Sequence, residues 1–85
     1  MKQEEVAKKN LDLFHEFMMY ALENPEILDR IPKGAQLVIL PEDDPQLCEN
    51  NLEIVHKREE EGQTVVTVRM LTPKRVVPKI EVATV

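Results

Sequence analysis

Three adjacent carboxylates, Glu42, Asp43 and Asp44, separate an apolar run from a helical pattern in LVILPEDDPQLCENN, residues 37–51. Neighbouring acids can hold a hard cation such as magnesium, which prefers oxygen ligands and retains several waters. They can also move protons. The place suits a ligand, because open α/β sheets bind ligands beyond the carboxyl ends of their strands. Each residue also has a structural use. Pro41 stops the strand, and Asp44-Pro45 offers an acceptor to orphan backbone donors followed by a residue with no donor to lose. Asp43 and Glu42 favour the positive end of a helix dipole. Glu42, Asp43 and Asp44 are thus the metal candidates, and a helix start is the reading that uses every residue.

The other reactive side chains are sparse. His15 and His56 fall at the borders of two helical apolar arcs, and neither has a second ligand three or four residues on, as a preformed zinc site needs. Cys48 lies on an apolar helix face and reads as an inert packed thiol. The chain contains no serine, and its two glycines, Gly34 and Gly62, build no phosphate loop. Phe14, Phe17 and Tyr20 share one face of the first helix, so no aromatic platform remains for nucleobases. Asn10 and Asn51 fall inside apolar arcs of two different helices. A buried amide needs partners, since an unsatisfied one costs about 1–3 kcal/mol. Each either bonds local backbone or fixes the register of two packed helices, and Arg58, on the Asn51 face, can reach such a partner or an acidic loop. No catalytic set emerges, and no cofactor is implied.

The chain has 85 residues, near the lower end of what folds unaided. Its single cysteine excludes an internal disulfide, which leaves oligomerisation as the expected support. The net charge of −5 is uneven. Residues 1–63 hold 15 acidic against 7 basic side chains, whereas Arg69, Lys74, Arg75 and Lys79 face only Glu81 in residues 64–85. An acidic body argues against general nucleic-acid binding, which draws its affinity from cations on phosphates. No segment has the roughly 20 apolar residues of a membrane span. The N-terminus MKQEEVAKKN lacks a signal sequence's apolar region, and a cytoplasmic setting is expected.

Periodicity predicts the elements that hold these residues. Residues 4–23 read as a helix whose apolar arc spans roughly 200°, about twice what a surface helix needs. Such a helix is covered on two sides, the second by another subunit. Asn24-Pro25 reads as the start of a short helix through Ile31, with Ile27, Leu28 and Ile31 inward. Leu37–Leu40 reads as a strand buried on both faces, residues 45–61 as a helix capped by Gly62, and TVVTVRML as a second strand. Strand, helix and strand make a βαβ unit. KIEVATV alternates, so it either returns as a third strand at an edge, where Pro78 is tolerated, or pairs as an arm with a neighbouring subunit.

FMMYALENPEILDRIPKGAQLVILPEDDPQLCENN, residues 17–51, with the closing βαβ strand, resembles a family of short prokaryotic proteins classed as a domain of unknown function. That resemblance implies no activity, ligand or site residue.

The fold expected is α/β: an N-terminal helix and a βαβ unit in residues 1–71, then a basic tail or edge strand in residues 72–85, with the small sheet completed by oligomerisation. The function expected is a homodimeric protein-interaction module suited to regulation. Phe14, Phe17, Met18, Leu22, Asn51, Ile80 and Val82 are its interface candidates, and residues 72–85 are available to its own partner subunit or another protein. The alternative is a small metal-dependent enzyme or ligand-binding domain on the acidic turn.

Overall fold

A computed structural model describes residues 2–74 and 78–83. Helix α1 (Gln3–Glu23) leads through a short 3₁₀ helix (Pro25–Arg30) to strand β1 (Gln36–Pro41), helix α2 (Pro45–Glu60) and strand β2 (Val65–Met70). β1 and β2 pair in parallel, from Gln36 opposite Val65 to Pro41 opposite Met70. The α/β fold with its βαβ unit is as expected. Residues 78–83 form no strand.

α1 runs its length without glycine or proline, with Glu4 and Glu5 in its first turn, where the helix dipole favours acids. Asn24 closes it. The Asn24 backbone N–H and side-chain Nδ2 both donate to the Tyr20 carbonyl, at 2.9 and 3.2 Å. Asn24 therefore caps the helix behind it, and its side chain does not cap the 3₁₀ helix ahead. The 3₁₀ helix ends at Arg30, and Ile31 follows in extended backbone, so Ile31 does not continue the face of Leu28. Ile27 and Ile31 pack against the core, but Leu28 is exposed, against the sequence expectation.

The end of α2 follows the expected chemistry. Gly62 has φ +79°, its N–H donates to the Glu59 carbonyl at 3.0 Å, and the Gln63 N–H donates to Arg58 at 3.0 Å. This is the Schellman pairing, which needs a left-handed residue that glycine adopts without strain. Glu61 is the cap itself.

The core is small. Leu13 and Phe17 from α1, Ile39 from β1 and Leu47 from α2 are its buried centre, with Val6, Ile27, Ile31, Leu37, Val68 and Met70 packed around them. Burial along β1 increases towards its carboxyl end: Gln36–Val38 are half-buried, while Ile39, Leu40 and Pro41 are buried. Only that half meets the two-sided burial expected.

The sheet has two outer edges, and they differ. The Gln36 N–H donates to Thr64 and the Glu42 N–H to Met70, each at 2.9 Å. Alternate residues of a strand direct their backbone groups to opposite sides. Leu37, Ile39 and Pro41 therefore face the outer edge of β1, where Pro41 has no N–H to leave unpaired. Val65, Thr67 and Arg69 face the outer edge of β2.

Candidate functional site

The acidic turn lies where β1 and β2 end side by side. Asp44 caps α2: its Oδ1 accepts from the Leu47 N–H at 3.1 Å, and its Oδ2 takes Lys9 Nζ of α1 at 3.0 Å. Asp43 Oδ1 accepts from both the backbone N–H and the hydroxyl of Thr72, at 2.9 and 2.8 Å. Pro41 is level with Met70, so the residue two beyond one strand meets the residue two beyond the other. Asp43 thereby ties the exit of β2 to the exit of β1. Among the described residues no group of three or more His, Cys, Asp or Glu is arranged to hold a metal ion.

These partners determine how the two acids titrate. The Thr72 N–H and hydroxyl hold the Asp43 carboxyl below the usual aspartate range. The Lys9 ammonium and then the Leu47 N–H do the same for Asp44. A carboxyl whose pKa is lower in the folded chain stabilises it fully above the unfolded value of about 3.9 and loses that contribution as pH falls through the folded value. Urea midpoints measured from pH 6 down to about 2.5 should thus fall below about pH 4. Asp44→Asn should flatten that fall while remaining folded, because asparagine also caps. Asp44→Ala should cost about 1 kcal/mol at neutral pH. Identical profiles for wild type and Asp44→Asn would remove Asp44 from the acid response.

Asn51 is the one buried polar side chain among the described residues, at 2% exposure. Its Nδ2 donates to the Ile39 carbonyl at 2.8 Å and to Asn10 Oδ1 at 2.9 Å, and its Oδ1 accepts from Asn50 Nδ2 at 3.2 Å. Asn10 Nδ2 returns a longer contact of 3.4 Å. The backbone bond of Asn51 is not local, since Ile39 lies twelve residues away on β1, and the Asn10–Asn51 pair sets α1 against α2 within one chain. It also occupies the outer edge of β1 at Ile39. Further along that edge Arg58 donates to Gln36 Oε1, and Gln36 Nε2 donates to Gln63 Oε1 at 2.6 Å. The acidic loop is not the Arg58 partner.

His15 and His56 are exposed, and Cys48 is half-buried as a free thiol. Phe17 is buried. Phe17 and Asn51 therefore support the α1 surface from within, and Phe14, Met18 and Leu22 are the helix candidates that solvent reaches. Ile80 and Val82 are 84% and 82% exposed. Arg75, in the basic tail, lies outside the described residues.

At 100° per residue the wide arc of α1 divides in two. Leu13, Phe17 and Ala21 face the core, while Leu11, Phe14, Met18 and Leu22 form a second stripe that the chain leaves open. Their exposures are 68%, 48%, 37% and 74%. A second apolar surface lies on the other side of α1. There a groove of about 580 Å³ runs along β2, between Val66, Val68 and Met70 on the sheet and Phe17, Tyr20 and Ile27 above it. Glu16, Arg30 and Arg69 supply its charges.

Sequence reasoning missed Lys9 as the partner of Asp44, Thr72 as the partner of Asp43, and the β2 groove. The Asp43–Thr72 contact was available from strand register alone, given the pairing of β1 with β2. The groove was not, because it depends on how far α1 reaches across the sheet. No helix among the described residues is long and apolar enough to cross a membrane.

No curated protein and no solved structure matches the chain. A family of unknown function, DUF5647, matches residues 5–83 and so extends well into the tail, beyond the run that carried the resemblance. The α1 helix, the βαβ unit and the tail through residue 83 are therefore one shared unit, and the chain belongs to that family.

Proposed function

We propose that this protein is a homodimeric interaction module, assembled through α1 and suited to a regulatory or adaptor role. The carrying observation is the open stripe of Leu11, Phe14, Met18 and Leu22. Isolated surface leucines are ordinary, but four large apolar side chains in one stripe are an interaction surface on so small a chain. A second copy is the occupant the chain itself supplies. One stripe laid on its twin about a twofold axis buries the same residues on both sides, as a self-complementary interface requires. The thin core makes such burial worth having, because an 85-residue chain buries a smaller share of its surface alone than a larger domain does.

Association that favours the folded state makes thermal stability depend on concentration. The thermal midpoint should rise by several degrees between about 5 and 500 μM protein. A midpoint that stays constant over that range would contradict the proposal.

A further inference from the structure

The geometry points to a specific occupant for the β2 groove: residues 79–83 of a second copy, added as a strand to the outer edge of β2. This deepens the homodimer reading and rests on it. Four observations converge.

The first is the inequality of the sheet edges. Asn51 takes the outward Ile39 carbonyl of β1, whereas no side-chain hydrogen bond among the described residues engages the outward backbone of Val65, Thr67 or Arg69. An unpaired edge is a template for another strand.

The second is the form of the tail. Lys79-Ile80-Glu81-Val82 alternates charged and apolar residues, and Ile80 and Val82 are almost fully exposed. A strand added to β2 would direct that pair into the groove beside Val66, Val68 and Met70. Backbone pairing would supply affinity and the alternate side chains specificity, as in other strand additions.

Charge is the third. Lys79 and Glu81 pair with each other in solvent, at 3.3 Å and with both side chains more than three-quarters exposed. On β2, Glu81 would lie on the sheet face opposite Ile80 and Val82, the face that also carries Arg69.

The fourth is the connection. The chain is anchored at Thr72 by Asp43, and the six residues from there to Lys79 include Pro73 and Pro78. Hairpin loops that return a strand beside its predecessor are usually two to five residues long. Residues 78–83 do not return to their own β2: they form no strand and are exposed. The family match reaches residue 83, so this strand belongs to the shared unit.

Two single-cysteine forms of the full chain test the assignment, both in a Cys48→Ala background. One carries Thr67→Cys at the centre of the outer β2 edge, and the other carries Glu81→Cys. Mixed and treated with a short bis-maleimide, they should give a covalent dimer in much higher yield than either form alone. A chain carrying both cysteines should cross-link between chains, and a compact cross-linked monomer as its main product would overturn the exchange. In a parallel measurement, Ile80→Asp with Val82→Asp should raise the dimer dissociation constant at least tenfold. Light scattering on the uncross-linked forms separates the two claims. A dimer that neither cross-links nor weakens sinks the strand assignment alone, whereas a monomer sinks the homodimer reading beneath it.

Discussion

Replacing Asn51 by leucine should destabilise the protein by about 2–3 kcal/mol, although leucine has nearly the same size and suits an apolar site better. The substitution removes the donor to Ile39 and strands the Asn10 amide. A buried carbonyl left without a partner costs about 1–3 kcal/mol. Loss of the Asn10 contact adds to that, with some relief because Asn10 is half-buried and reaches water. For a domain of this size the thermal midpoint should fall by roughly 10–20 °C. Asn10→Ala should cost about 1 kcal/mol, and the double variant should show that the two are coupled, since residues in one hydrogen-bond network are not additive. Leucine at position 51 within about 0.5 kcal/mol of wild type would show that the network is not what holds α1 to α2.

The second large effect concerns association. Leu11→Lys with Leu22→Lys should raise the dimer dissociation constant more than about a hundredfold while leaving the folded monomer intact. Both side chains are mostly exposed in the single chain, so monomer stability should change by no more than about 0.5 kcal/mol each. In a twofold interface each substitution counts twice, and burying a leucine contributes about 1.5–3 kcal/mol. Lysine also reduces the magnitude of the net charge, which is −5 in the wild type. General repulsion between copies therefore weakens, so dissociation would report the stripe itself. Sedimentation velocity measures the constant, and circular dichroism checks that the helices persist. An unchanged constant would place the interface elsewhere.

The sequence was informative wherever local chemistry decides structure. The proline at the start of α2, Asp44 before it and Gly62 after it announce both helix ends, because caps depend on a few neighbouring residues. The wide arc of α1 was legible as an excess, since 200° of apolar surface exceeds what one side of a small domain covers. Where that excess divides was not legible: Phe17 and Phe14 are three residues apart, yet one is buried and the other half-exposed. Asn24 shows the same limit at shorter range. Asn-Pro fits a helix start as well as a helix end, and only the position of the Tyr20 carbonyl distinguishes them. Leu28 was misread because the short helix ends at Arg30 and Ile31 lies beyond it in extended backbone, so the three apolar residues do not share one helical face. The alternation of the tail was plain, but alternation specifies a strand's faces and not its partner.

The acidic turn illustrates how a candidate site becomes an anchor. Its Asp43 and Asp44 carboxylates are engaged by Thr72, Leu47 and Lys9, so the turn joins both strand ends, the start of α2 and the flank of α1. That junction fixes where the tail departs. The stability of the fold and the exit of the tail thus share residues, and acid should weaken the junction that holds them.

The molar mass of the full chain by light scattering, at micromolar concentration and moderate salt, tests the central claim most directly. A mass of twice 9.8 kDa is the predicted result. A mass of 9.8 kDa that persists to hundreds of micromolar would contradict it, and the stripe on α1 would then belong to a different partner.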